Sequence, residues 1–270
     1  NKLGIMQGRL LPKVNGRYQA HPTGSWETEF PIAAHLGLDC IEFIFDFNDY
    51  EENPLWSVEG NQCIKTVKSS TGIEVYSICA DFFMECPLHS SRKEIREFSF
   101  SILSDLLQIC NYMEVENLVL PCLDQSSLSS SSDTFHLMKQ IQVVLPNIEK
   151  YGVNLALETN LPPRDLKVLI DSFNSEFVTV NYDTGNSASL GYDFREELET
   201  YGSRISNIHI KDRTFSGGPV LFGKGDFDFK EFFKELDLFG FTHPLIMQLY
   251  RDENGLESFK KQFGLLKKSI

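Results

Sequence analysis

No stretch of this 270-residue chain approaches the roughly 18 uninterrupted apolar residues of a membrane-spanning helix, which excludes a helical membrane protein. Basic charge is also scarce. Lys and Arg number 25 against 38 Asp and Glu, a net charge of −13. A field of that sign repels phosphodiester backbones and anionic lipid, so no nucleic-acid or membrane partner is expected. The six cysteines contain no C-x-x-C pair and most sit in apolar runs. They read as buried free thiols in a reducing cytoplasm, not as a zinc site or a disulfide framework. The opening residues, Asn1 to Gln7, have no long apolar run before a small-residue cleavage site, so they do not read as a signal peptide, and a cytoplasmic location is expected. Because the first residue is not Met, further residues upstream are expected. There is no low-complexity linker. The short Ser126–Ser132 stretch reads as a loop that ends in a helix N-cap at Asp133.

What is present is apolar material for one large core: 41% hydrophobic residues, with 22 Phe. Short apolar runs alternate with longer segments of helical spacing. The strands are expected at 3–7, 39–45, 73–80, 117–121, 153–158, 177–182, 205–210 and 244–249. Helices are expected near 27–36, 57–70, 91–112, 133–150, 163–172, 192–202, 228–239 and 255–268. In the third helix, Ile95, Phe98, Ile102, Leu106 and Ile109 are expected to form the buried stripe. Gly37, Gly72, Gly152, Gly202 and Gly240 stand just past helix ends, where left-handed caps are expected. Eight strand–helix units without an antiparallel hairpin signal predict an α/β fold, a single-domain (β/α)₈ TIM barrel over residues 1–270. A doubly wound open sheet is the competing architecture.

Such barrels carry their sites at the C-terminal strand ends. There the sequence puts Gln7 and Arg9, Glu42, Asp81, Asp124, Glu158, Asp183, His209 with Asp212, and Gln248. Ionisable groups in apolar strands are costly unless paired or bound to metal. Glu158, Asp183 and His209 on neighbouring strands offer an O/O/N set suited to one divalent ion, Mn²⁺, Co²⁺, Zn²⁺ or Mg²⁺. Taken singly, Glu158 fits a helix cap or a lysine partner, Asp183 before Thr184-Gly185-Asn186 fits an Asx turn, and His209 fits a core histidine.

Met6-Gln7-Gly8-Arg9-Leu10, Leu157-Glu158, Asp183-Thr184-Gly185-Asn186, His209-Ile210-Lys211-Asp212-Arg213 and Gly223-Lys224-Gly225-Asp226 together resemble the xylose isomerase-like TIM-barrel superfamily. The nearest resemblance is to its sugar and sugar-phosphate isomerase/epimerase branch, with tagatose 3-epimerase-like and hydroxypyruvate isomerase-like members. The resemblance spans almost the whole chain. It implies metal ligands at Glu158, Asp183 and His209, with Glu158 also the catalytic base, and substrate contacts from Arg9 and Asn186. Two positions depart from the pattern. Asn186 replaces the usual His of the sixth-strand motif, and Gln248 stands where the epimerases carry a second Glu. Gln248 can give an amide oxygen to the metal but cannot accept a proton near neutral pH. A two-base epimerisation then needs a substitute, for which Asp212, Asp81 or a water is available.

The chemistry implied is removal of a proton α to a carbonyl, with a divalent metal stabilising the enediolate. The loop after the seventh strand, with Lys211, Arg213, Lys224 and several glycines, is expected to hold a substrate anion, so the substrate is a sugar or a sugar phosphate. Trp26, Phe45, Phe47, Phe82, Phe83 and Tyr250 are expected either to stack on a sugar face or to pack under loops. A metal-dependent dehydratase of a cyclic polyol ketone, and a sugar-binding relative without catalysis, are the alternatives. An abasic-site endonuclease is disfavoured by six His and a pI near 4.9. A homo-oligomer is compatible with this reading.

Overall fold

The computed structural model describes residues 2–270. The parallel strands are β1 Leu3–Met6, β2 Cys40–Ile44, β3 Glu74–Cys79, β4 Asn117–Cys122, β5 Asn154–Thr159, β6 Val178–Asp183 and β7 Ile205–Ile210. A two-stranded piece, β8 Asp212–Arg213 and β9 Pro219–Val220, precedes the last barrel strand, β10 Leu245–Met247. The eight longer-range partners close in the order β1-β10-β7-β6-β5-β4-β3-β2. Closure rests on β1 pairing with β10 (Ile5 opposite Met247) and β2 (Ile5 opposite Ile41). The competing open sheet is therefore ruled out.

The helices are α1 Glu29–Leu36, α2 Val58–Thr71, α3 Phe82–Glu85, α4 Lys93–Met113, α5 Ser131–Tyr151, α6 Pro163–Asp171, α7 Thr184–Leu190, α8 Phe194–Tyr201, α9 Phe229–Phe239 and α10 Leu256–Leu266. Two of them, α3 and α7, were not expected. α7 starts directly at the end of β6 and α3 follows β3 after two intervening residues, and both are too short to leave a periodic signal.

Four expectations need correction. Asp212–Arg213 and Pro219–Val220 pair antiparallel after all, in strands of two residues each. Ser130, not Asp133, caps α5: its side chain accepts the Asp133 N–H, and the Asp133 carboxylate accepts from Ser129 N–H at 3.1 Å. In α4 the buried stripe runs through Ile102, Leu103, Leu106, Leu107 and Cys110, whereas Phe98 stays 40% exposed. Gly202 is right-handed (φ −53°), unlike the other four glycines, and opens a short 3₁₀ turn. A Cβ there would come within 2.8 Å of the Phe239 ring tip, so that half-exposed ring would have to shift.

Most of the core lies between the strands and the outer helices. The barrel's own interior is small. Met6, Cys40, Ile44, Cys79, Val119 and Ile246 fill its apolar part. It is so tight at β1 that a Cβ on Gly4 would approach Ile246 to 2.5 Å. Cys40, Cys79, Cys110 and Cys122 are buried and all six thiols are free. Above this plug the interior turns polar, and there the site begins.

Candidate active site

The inward-pointing side chains of β2, β3, β6 and β7 form a closed hydrogen-bonded layer. Glu42 Oε2 accepts from Ser77 Oγ at 2.7 Å and Asn207 Nδ2 at 2.9 Å. Asn207 Nδ2 also donates to Asn181 Oδ1 at 2.8 Å. Glu42 Oε1 lies 2.7 Å from His209 Nε2, and both side chains are fully buried. That contact puts a proton on Nε2 and turns Nδ1 toward the site. Asn181 Nδ2 approaches the same Nδ1 at 3.1 Å and donates to Glu158 Oε2 at 2.8 Å.

Glu158, Asp183 and His209 meet on this floor. One ligand atom from each lies within 4.8 Å of the other two. His209 Nδ1 is 3.6 Å from Glu158 Oε2 and 4.0 Å from Asp183 Oδ2. The structure brings together the three residues that the sequence singled out. Asp183 proves to be both turn residue and site residue. Its Oδ1 caps α7 by accepting Asn186 N–H at 2.8 Å, while Oδ2 is buried with no hydrogen-bond partner among the described residues. A buried orphan oxygen is costly, and a cation is its natural complement. Oxygen, oxygen and an imidazole lone pair converging beside that atom fit a divalent metal. The carboxylate behind the imidazole is the usual support for a ligating histidine.

Without a cation, the electrostatics favour added protons on these groups. Burial pushes the Glu158 carboxyl above its ordinary range, with Asp183 adding to the shift. Burial alone would depress His209, but Glu42, Glu158 and Asp183 outweigh it and raise the imidazole. Lys211 sends its ammonium to 3.6 Å from Asp183 Oδ2. Its stem is packed against Gly185, where a Cβ would come within 2.8 Å of Lys211 Cγ.

A cavity of about 460 Å³ opens above the triad, lined by Glu158, Lys211 and Gln248 on one side and by Asp81, Asp46 and Arg17 on others. Gln248 follows β10 directly. Its Nε2 donates to Gln19 Oε1 at 2.7 Å, and its Oε1 is buried without a partner. The Arg17-Tyr18-Gln19 segment, which lies in the long β1–α1 loop, walls the cavity and was not foreseen. Arg9 holds that loop. It donates to Gln19 Oε1 at 3.0 Å and to Tyr18 O at 3.4 Å, with its guanidinium over the Tyr18 ring. Arg251, also buried, donates to Tyr18 O and Pro12 O. Arg9 therefore braces the wall and does not line the cavity. A larger hollow of about 800 Å³ sits at the opposite barrel end, where Arg204 is already taken up by Ser175 O and Val178 O.

Asn186 donates to Glu158 Oε1 at 2.7 Å and accepts from Arg213 Nη1 at 2.9 Å. The rest of the Arg213 guanidinium bonds Gly217 O. The helix beneath Asn186 is anchored by buried Glu197, which takes the Tyr182, Tyr201 and Ser187 hydroxyls. The expected anion cradle after β7 exists, but its anion is internal. Gly223, Lys224 and Gly225 N–H groups all point at Asp212 Oδ2, at 2.8, 3.1 and 2.9 Å. The Lys224 side chain is exposed and outside the cavity lining. Lys224 thus stands apart from Lys211 and Arg213, whose stems both flank Gly185, and Asp212 does not line the cavity. Among the expected aromatics Phe47 lines the cavity. Phe45 and Phe82 pack against each other at 5.7 Å, and Trp26 packs on Phe43 at 5.7 Å.

Comparison with known proteins agrees with the fold. A protein of Haemophilus influenzae with the provisional name L-ribulose-5-phosphate 3-epimerase SgbU is 24% identical over 268 residues, covering 94% of this chain and 90% of its own. The 2-epi-5-epi-valiolone 7-phosphate 2-epimerase of an Actinoplanes species is 22% identical over 83% of this chain and 77% of its own. Among solved structures, the IolI protein with a binding zinc atom superposes with a TM-score of 0.78 at 16% identity, covering 100% of this chain and 99% of that one. D-psicose 3-epimerase of Clostridium cellulolyticum H10 gives 0.77 at 16% identity, covering 100% and 99%. The family described as xylose isomerase-like TIM barrel matches residues 30–269. With the closed barrel and the strand-end site, this chain belongs to the xylose isomerase-like TIM barrel family.

Proposed function

We propose that this protein is a divalent-metal-dependent sugar epimerase or isomerase that removes a proton α to a carbonyl. One observation carries the reading: the ligand atoms of Glu158, Asp183 and His209 gather within 4.8 Å around a buried Asp183 Oδ2 that accepts no hydrogen bond among the described residues and has the Lys211 ammonium at 3.6 Å. The epimerase names of the relatives support the class of reaction. Glu158, Asp183 and His209 would hold the metal, with the unpartnered Oε1 of Gln248 as a fourth donor. Bound there, the ion supplies Lewis-acid stabilisation of the enediolate charge.

The chain's own groups do the rest. Glu158 takes the proton, its carboxylate aimed by Asn181 and Asn186. Glu42 keeps the His209 tautomer fixed. The substrate is a sugar or sugar phosphate, and the cavity favours the uncharged form. Arg17 is paired to Asp46 and Lys211 to Asp183, while Asp81, Glu85 and Asp124 have no cation. Metal analysis of purified protein, then a ketose and ketose-phosphate panel read by mass and NMR, tests the reading. One divalent ion per chain, lost in His209→Ala, and product of unchanged mass are expected. Full metal content in that variant would remove the ligand set, and loss of 18 mass units (the mass of water) would move the chemistry to dehydration.

A further inference from the structure

The cavity has two unlike walls. Glu158 rises from β5, whereas Asp81 leaves the end of β3, two strands from β5 and four from the β7 strand that carries His209. The two carboxyls line one cavity from two different strands.

Other carboxylates of that cavity are engaged or peripheral. Asp46 is paired with Arg17 at 3.3 Å and accepts His21 N–H at 2.9 Å. Glu85 is exposed at the mouth and takes Gln125 Nε2 at 3.1 Å. Asp124 is exposed at the rim. Asp81 has no ion-pair partner among the described residues. Its Oδ2 accepts from Gln19 Nε2 at 2.6 Å, and its Oδ1 meets the Cys79 thiol at 3.4 Å.

Gln19 cannot turn away. Its Oε1 already receives Arg9 Nη2 and Gln248 Nε2, which forces its Nε2 toward Asp81. A buried arginine thus aims an uncompensated carboxyl into the cavity through one amide. Gln248 itself exchanges no proton near neutral pH. Lys211 shares the cavity but stands on the Asp183 side, drawn to Oδ2 at 3.6 Å.

We propose that Asp81 is the second proton-transfer group of this site, serving the face of the reacting carbon opposite to Glu158. The proposal rests on the reading of Glu158 as the first. In the forward direction Glu158 takes the proton from carbon, and the C–H electron pair becomes the enediolate C=C. The Asp81 carboxylic acid then gives its proton to the other face of that carbon, and the carbonyl re-forms. Glu158 ends protonated and Asp81 ionised, and exchange of one proton with water resets both. Burial also pushes the Asp81 carboxyl above its ordinary range, which favours the acid form that this step starts from.

The test uses metal-loaded protein in D₂O with a panel of free and phosphorylated ketoses, read by NMR. Wild type should give an epimer carrying one deuterium. Asp81→Asn should lose epimer formation by at least about 100-fold, yet still wash deuterium into recovered substrate, with metal content and melting midpoint like wild type. Asp81→Glu, which keeps the acid, should epimerise faster than Asp81→Asn. Glu158→Gln should lose both exchange and epimer. Epimerisation by Asp81→Asn within a few-fold of wild type, or equal loss of exchange and epimer, would overturn the proposal and leave the role of Glu158 standing. If wild type exchanges no ketose of the panel, the parent reading fails and this one with it. Should Asp81→Asn not fold, Gln19→Met must show the same split, epimer lost more than exchange, and equal losses would overturn the proposal.

Discussion

His209 and Glu42 face each other inside the barrel at 2.7 Å, and this one contact decides which imidazole nitrogen the site can use. Nε2 carries the proton toward Glu42, so Nδ1 faces Glu158 and Asp183. Glu42→Gln keeps the size but removes the charge that raises the imidazole. Metal affinity should fall about 10–100-fold, the usual cost of losing a carboxylate behind a ligating histidine. Calorimetric titration with Mn²⁺ or Zn²⁺ reads it. Affinity unchanged in the variant would mean that Glu42 serves only the packing of the barrel interior.

Glu42 also shows where sequence reading stops. It lies in Cys40-Ile41-Glu42-Phe43-Ile44, a strand buried at every position, so an ionisable group there signalled an internal partner. The partner could not be named, because 167 residues separate Glu42 from His209. Glu158, Asp183 and His209 were legible because apolar strands end in them, and the barrel was legible because the strands recur with helical spacers. The β1–α1 loop was not, since Arg17, Tyr18 and Gln19 follow no period and are held by two arginines remote in sequence from one another. The glycines at 223 and 225 were read as a ligand's cradle. Their N–H groups do bind an anion, but the anion is Asp212, and spacing carries no information about which carboxylate arrives.

Gln248→Glu should pull metal binding and stability in opposite directions. A carboxylate adds an anionic donor beside the triad, so affinity should rise. The same change removes the Nε2 donor and sets a carboxylate oxygen against Gln19 Oε1, now 2.7 Å from that nitrogen. Loss of this partly buried bond should cost about 1–3 kcal/mol in the metal-free protein. Urea unfolding with chelator, beside a metal titration, separates the two. Affinity that fails to rise would put Gln248 outside the metal's reach.

Arg213→Ala should weaken free and phosphorylated sugars alike. The guanidinium is held by Asn186 Oδ1 and Gly217 O, so its influence passes through Asn186 to the Glu158 carboxylate. Turnover should fall while the ratio of the two affinities stays within about twofold, well under the effect of a direct charge-assisted phosphate contact. A selective loss of the phosphorylated ligand, by about 1–3 kcal/mol, would instead make Arg213 a phosphate-reading residue.

Glu29 supplies a pH dependence that lies away from the candidate metal site. Its carboxylate takes Gly8 N–H at 2.7 and 2.8 Å and Leu10 N–H at 3.2 Å, tying the β1–α1 loop to the start of α1. Burial outweighs those bonds and raises the carboxyl from 4.5 to about 7. Between these values the folded chain holds a proton that the unfolded chain has released. The group's contribution is therefore fully present below pH 4.5 and is lost as pH rises through about 7. The loss is on the order of 3 kcal/mol, since each pKa unit is worth about 1.4 kcal/mol. His21, lowered to about 4 by burial with help from Arg17, works in the opposite sense between pH 4 and 6.5. The comparison must therefore be between wild type and Glu29→Gln, in which His21 is common to both. Urea unfolding with chelator at pH 5 and pH 7.5 should show wild type losing more stability across that interval than the variant, by up to this amount. Parallel losses in the two proteins would mean that Glu29 ionises in the fold as it does in water, its burial offset by the Gly8 and Leu10 amides.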